Sequence, residues 1–251
     1  MATQQATRAA AWDETQAPPA GPARPAGATR EQSDLRRWVG LAVLGLVAFA
    51  ILTAMVAAGV TFPFDQPLID ATNVLGQYMV AWQDVSASAN LPLIVIGVGV
   101  VIWLVWKRHG HEALLVIAIL VVVTAGSELV KQLIARPRPP GFVNGELGVV
   151  YSYPSGHVLE AITIYGIIAV LVWRSTLSRP VRLIIPILFI VNIALVAVAR
   201  VAVGAHYPSD VLGGTLAGIG FLALFVVGTV LFYRRDASKS RDDPAGPRPV
   251  A

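Results

Sequence analysis

The sequence contains no cysteine, which removes disulfides, thiolate catalysis and cysteine-ligated zinc at once. Charge is scarce as well. Asp, Glu, Lys and Arg make up 14% of the 251 residues against 55% apolar, a balance typical of polytopic membrane proteins. No apolar run lies near enough to the start to act as a cleavable signal; the first opens around Trp38 and is long enough to span. No basic stripe interleaved with aromatics is present, so nucleic acid is not an expected partner. The absence of paired, interrupted spans weighs against a transporter. Finally, the connection from Thr61 to Asn90 has neither Lys nor Arg and carries Asp65, Asp70 and Asp84 instead, as expected of a translocated loop.

What is present is a series of apolar runs at 38–60, 91–106, 113–134, 157–173, 181–200 and 210–233. Each is near the length needed to cross about 30 Å of hydrocarbon. They predict an all-α fold, a polytopic bundle of six transmembrane helices occupying residues 38–235. Residues 1–37 and 236–251 are polar and Pro-rich and are expected to be disordered cytoplasmic tails. Arg36 and Arg37, Lys107 and Arg108, Arg174, Arg179 and Arg182, and Arg234 and Arg235 then all fall on one side. That side is the cytoplasm, with both termini in it. In the 61–90 connection, Leu68, Ile69, Val74, Leu75, Tyr78, Met79 and Trp82 recur at near-helical spacing. They predict an amphipathic helix, either interfacial beside a lipid entry route or packed as an ordinary loop helix.

All but four of the 19 Lys and Arg residues belong to the cytoplasmic clusters or the tails. The four are Lys131, Arg136, Arg138 and Arg200, and positive charge on the translocated face needs a reason. They share two connections with His157, His206 and Asp210. In KQLIARPRP, two Arg-Pro pairs end a helix and leave extended chain presenting guanidinium forks suited to phosphate oxygens, while Lys131 adds a point charge. Snorkelling anchors would account for that segment alone. In Pro154-Ser155-Gly156-His157, Ser155 suits a helix N-cap, Gly156 allows close approach to the backbone, and the helix start favours an anion. In the third segment Asp210 follows His206 by four residues, so one helical turn brings a carboxylate towards the imidazole, where it fixes the tautomer and stabilises positive charge on the ring. A neutral, oriented imidazole is a competent nucleophile towards phosphorus. An N-cap is the structural alternative for Asp210. The histidines and the aspartate would suit zinc by ligand type, but the crowd of cations disfavours one, so no metal and no cofactor are expected.

The spacing Lys131, six residues, Arg138-Pro139; then Pro154-Ser155-Gly156-His157; then Arg200, five residues, His206, three residues, Asp210 resembles the three-part signature of the type 2 phosphatidic acid phosphatase family, related to vanadium haloperoxidases. The resemblance covers roughly residues 60–233. One departure is visible: the family's third motif begins Ser-Arg, and here it is Ala199-Arg200. The resemblance implies a six-helix membrane enzyme that removes phosphate from lipids without metal. By that likeness His206 attacks phosphorus and forms a phosphohistidine, Asp210 supports it, and His157 protonates the leaving oxygen and then activates water. Lys131, Arg138, Ser155, Gly156 and Arg200 would hold the phosphate oxygens, with Arg136 an auxiliary contact.

Two carboxylates remain within the spans. Glu128 is placed to pair with Lys131, and Glu160, one turn after His157, to orient that ring. The expected partners are the bilayer and a lipid phosphate substrate, with no obligate protein partner. By resemblance the substrate is undecaprenyl diphosphate, phosphatidylglycerol phosphate or phosphatidic acid, cleaved at the extracytoplasmic face of the cell membrane. A phosphotransferase using the same phosphohistidine is an alternative class. A non-catalytic carrier of anionic lipid is another, although binding alone does not call for an oriented nucleophile.

Overall fold

The computed structural model describes residues 26–78, 81, 84–85, 91–140 and 151–242. Helix α1 runs over Ala26–Ala57, followed by α2 at Asp65–Asn73 and a 3-10 turn at Val74–Tyr78. Then come α3 (Leu91–Trp106), α4 (Gly110–Ile134), α5 (Gly156–Arg174), α6 (Arg179–Ala202) and α7 (Pro208–Asp242). The long elements are helical because each carries an extended apolar run, and a span in lipid must satisfy its own backbone groups. The compact unit that carries the site begins at Leu35.

Five of these helices are long and apolar enough to cross a membrane: Ser33–Ala57 within α1, α4, α5, α6, and Pro208–Asp236 within α7. The protein is a multi-pass membrane protein. The run expected to form a sixth span, α3, has 16 residues, about 24 Å at 1.5 Å per residue, short of the ~30 Å apolar core. The helices also extend into both expected tails, since α1 begins at Ala26 and α7 continues to Asp242. An apolar span supplies the costly helix nucleus, and each further residue adds a hydrogen bond cheaply, the more so for Ala, Glu, Gln and Arg. The amphipathic stretch after Thr61 is split between α2 and the 3-10 turn, while Met79 and Trp82 lie outside the described residues.

The most extensive helix pairing is α5 against α7, followed by α5 against α6. Small residues let the first pair approach. A Cβ on Gly214 would stand 2.5 Å from the Ser155 carbonyl oxygen, and one on Gly218 would stand 2.9 Å from Ile162 Cβ. Gly45 brings α1 onto the α7 backbone in the same way, with its Cβ position 3.0 Å from Leu216 O. Between apolar helices in lipid, such van der Waals fit replaces the hydrophobic drive available in water. At one end of the bundle Arg174 donates to Thr229 Oγ1 at 3.2 Å and Tyr233 donates to Glu112 at 3.0 Å. The other end gathers the close of α4, the start of α5, the close of α6 and the start of α7.

Candidate functional site

That second end is assembled from three segments. Lys131 sits in the last turn of α4, and Ala135 closes the helix in the left-handed region (φ 51°), its N–H donating to Lys131 O at 2.8 Å. The following Arg-Pro pairs exclude helix from their arginines, and the extended chain forms an antiparallel bridge between Pro137 and Tyr151. Ser152 N–H donates to Arg136 O at 2.9 Å, and Ser152 Oγ to Pro137 O at 3.1 Å. Tyr153 anchors this segment in the core. It is fully buried, shares a 3.0 Å hydrogen bond with Thr53 Oγ1 and stacks on Phe49. Ser155 N–H then donates to Asp210 O at 3.1 Å, so the middle segment is tied by backbone to both of the others.

The third segment leaves α6 at Arg200, which is buried, and turns at Gly204 (φ 69°). Arg200 O accepts the N–H groups of both Ala205 and His206 at 3.1 Å. Arg138 reaches across to donate to Ala205 O at 3.3 Å. His206 is 2% exposed, and its Nδ1 lies 2.7 Å from the Ser152 carbonyl oxygen. A carbonyl can only accept, so Nδ1 carries the proton and the neutral ring keeps its lone pair on Nε2. The expected Asp210 contact is longer, 3.7 Å from the same Nδ1, so a main-chain carbonyl and not the carboxylate fixes the tautomer. Burial pushes His206 down from 6.5 to about 4, with Asp210 opposing that shift and Arg200 adding to it.

His157 lies in the first turn of α5, where Arg200, His206, Lys131 and Arg138 are its charged or titratable neighbours. Lys131 Nζ stands 3.5 Å from where a Cβ on Gly156 would be, so the ammonium lies against the start of α5. Ser155 does occupy the N-cap position, but its hydroxyl makes no capping bond. Its Oγ and the His157 Nε2 are buried and have no hydrogen-bond partner among the described residues. Buried polar atoms are nearly always satisfied. Here two unsatisfied ones sit beside cations and a helix start whose first N–H groups point outward. The arrangement can hold a tetrahedral anion and present an imidazole lone pair to it.

Asp210 itself is fully buried. Oδ2 accepts the Tyr207 N–H at 2.8 Å, the backward half of a capping box in which Asp210 is the third residue of α7 and not its N-cap, so the carboxylate supports the helix start from inside while lying near His206. Oδ1 takes Arg136 Nη1 at 2.6 Å. Arg136 Nη2 reaches Asp65 Oδ2 at 3.1 Å, and the guanidinium lies 4.1 Å from the centre of the Tyr207 ring. The auxiliary phosphate contact expected of Arg136 is therefore not what its contacts show: two carboxylates already claim its fork. Glu128 pairs with Lys131 at 3.1 Å. Glu160, expected beside His157, instead accepts a 3.3 Å hydrogen bond from Thr124 Oγ1, towards α4. Asp65, Ser152, Tyr207 and Ser209 escaped the sequence reading. Asp65 looked like one of three loop acids, and the role of Ser152 rests on its carbonyl, which no side-chain pattern encodes.

A membrane helix bundle with two histidines, one buried and two partly buried cations and an open helix start at one end defines a class: an integral membrane protein with a site suited to an anion. The PAP2 superfamily pattern matches residues 112–234. Phosphatidylglycerophosphatase B of Bacillus subtilis is 31% identical over 145 residues, 57% of this chain and 68% of that protein. An undecaprenyl-diphosphatase of Sulfolobus acidocaldarius is 34% identical over 133 residues, 50% of this chain and 60% of that protein. The crystal structure of a transmembrane PAP2 type phosphatidylglycerolphosphate phosphatase from Bacillus subtilis has the same fold. Its TM-score is 0.57 at 24% identity, covering 77% of this chain and 97% of that one. Aquifex aeolicus LpxE matches with a TM-score of 0.50 at 21% identity, covering 66% and 96%. The chain belongs to the PAP2 superfamily and is a phosphatase of that family.

Proposed function

We propose that the protein hydrolyses a lipid phosphate or diphosphate through a phosphohistidine on His206. The observation that carries this is the pair of unsatisfied buried atoms, Ser155 Oγ and His157 Nε2, among Lys131, Arg138 and Arg200. His206 Nε2 attacks phosphorus and the bond to the leaving oxygen breaks, with protonated His157 supplying its proton. His157, now neutral, takes a proton from water. The oxygen of that water attacks the phosphohistidine, releasing inorganic phosphate and restoring His206. Lys131, Arg138, Arg200, Ser155 Oγ and the N–H groups at Gly156 balance the charge on the phosphoryl oxygens. Asp210, 3.7 Å from Nδ1, supports the positive charge that forms on the ring. The reaction calls on no metal.

The relatives point to the class of substrate, a phosphatidylglycerophosphate or a polyprenyl diphosphate, with phosphatidic acid as the simplest member. We place the reaction at the extracytoplasmic face of the cell membrane. In that arrangement α3 supplies a sixth crossing and both termini are cytoplasmic, which leaves Lys107 and Arg108, Arg174 and Arg179, and Arg234 and Arg235 on the inner side. The test is phosphate release from purified protein in detergent with EDTA, across the three lipids, beside His206→Ala. Release that survives chelation and is lost in the variant is expected. A metal requirement, or full activity in the variant, would overturn the reading. Retention of the phosphoryl group on an alcohol acceptor would make the protein a transferase.

A further inference from the structure

Behind the proposed catalytic groups lies a polar cluster of which the reaction as written uses only Asp210. Asp65, at the start of α2, is 7% exposed and makes three short contacts with residues of the site end. Its Oδ1 accepts the Ser209 N–H at 2.8 Å, and its Oδ2 accepts Ser209 Oγ at 2.7 Å and Arg136 Nη2 at 3.1 Å. Arg136 Nη1 donates in turn to Ser209 Oγ at 2.8 Å and to Asp210 Oδ1 at 2.6 Å. One guanidinium is thus shared by two carboxylates that come from different ends of the chain.

We infer that Asp65 is a positioning residue of this site, acting through Arg136 to hold Asp210 and the first turn of α7 behind His206. The inference rests on the phosphohistidine reading and deepens it. The reasons are geometric and electrostatic. A planar fork facing one carboxylate can engage both of its oxygens and neutralise it. With Asp65 holding Nη2, Arg136 contacts only Oδ1 of Asp210, and Oδ2 stays turned to the Tyr207 N–H and the imidazole. Asp65 also supplies the acceptor for the Ser209 N–H, a first-turn donor of α7 with no partner inside its own helix. Both effects bear on where the carboxylate sits relative to His206, and neither requires Asp65 to touch substrate.

The test is a double-mutant cycle on the detergent-solubilised full chain, using the lipid released fastest in the panel. Asp65→Asn keeps the shape and one acceptor oxygen but turns the other into an NH2 donor and removes the charge. It is expected to lower kcat about tenfold with KM nearly unchanged and the melting temperature retained. Arg136→Gln is expected to lower kcat comparably, and Asp65→Asn together with Arg136→Gln to lower it by clearly less than the product of the two, because much of the effect of Asp65 runs through that arginine. Ser209→Ala, a smaller change for use if Asp65→Asn does not fold, is expected to lower kcat with KM unchanged. Independent, multiplying effects in the double variant would overturn the inference. So would a rise in KM alone, an activity loss that merely tracks the folded fraction, or wild-type turnover in Ser209→Ala. His206→Ala is assayed alongside, and if it stays active the phosphohistidine reading fails whatever the cycle shows.

Discussion

At the scale of single residues, the groups around His206 divide the labour. A carbonyl from Ser152 sets the tautomer, a carboxylate from Asp210 stands further off, and burial keeps the ring neutral. That has a consequence for stability against pH. A histidine held at about 4 when folded, against 6.5 for the ordinary group, binds fewer protons folded than unfolded between those values. Stability therefore falls as pH is lowered from about 6.5 to about 4, and levels off below. Melting temperatures measured across that window should show the decline for the wild type and a shallower one for His206→Gln. An equal slope in both would assign the effect to other groups. Ser155 and the basic residues could be picked out in the sequence because their chemistry is in their side chains, and Gly156 because it stands between Ser155 and His157 in one short motif. Asp65 could not, because its partner Ser209 is 144 residues away.

At the scale of elements, the site depends on how closely α7 packs against the start of α5. The Ser155 carbonyl stands 2.5 Å from the place a Cβ would take on Gly214, and the Tyr153 ring stands 2.7 Å from the same place on Gly213. Backbone cannot move aside as a flexible side chain can, so Gly214→Ala should push the turn from Ser155 to His157 away from Asp210. An overpacking cost of about 1–3 kcal/mol is expected, seen as a lower melting temperature, together with a loss of phosphate release larger than the loss of folded protein. Gly40, with open space around it, is the control: Gly40→Ala should leave phosphate release unchanged and should not lower the melting temperature. The glycines of α7 stand out in the sequence, but which of them meets backbone and which meets space depends on the neighbouring helix. The helix ends were misplaced for a related reason, since hydropathy marks where a chain prefers lipid and not where its helix stops.

At the scale of the whole molecule, the lack of cysteine makes the proposed orientation directly testable. Thr61 and Thr176 are both exposed, one in the connection after α1 and the other between α5 and α6. Thr61→Cys should react with a membrane-impermeant maleimide in intact cells, and Thr176→Cys only after permeabilisation. The reverse pattern would put the site on the cytoplasmic side. The same pair reports on α3. Six crossings place Thr61 and Thr176 on opposite faces, whereas removing α3 as a crossing would put them on the same one.

The sequence by itself determined the class: a cysteine-free, charge-poor chain of apolar runs is a membrane helix bundle. The signature at Lys131, at Ser155 to His157 and at Arg200 to Asp210 also located the candidate site. These are properties of composition and short spacing, which the chain carries before it folds. Tertiary structure decided what lies behind that signature. It pairs Arg136 with Asp65 and Asp210, turns Glu160 towards Thr124, and puts the Ser152 carbonyl against His206. Each of these is a contact between distant segments, and in a buried polar site partners are chosen by which groups the packed helices bring within hydrogen-bond reach.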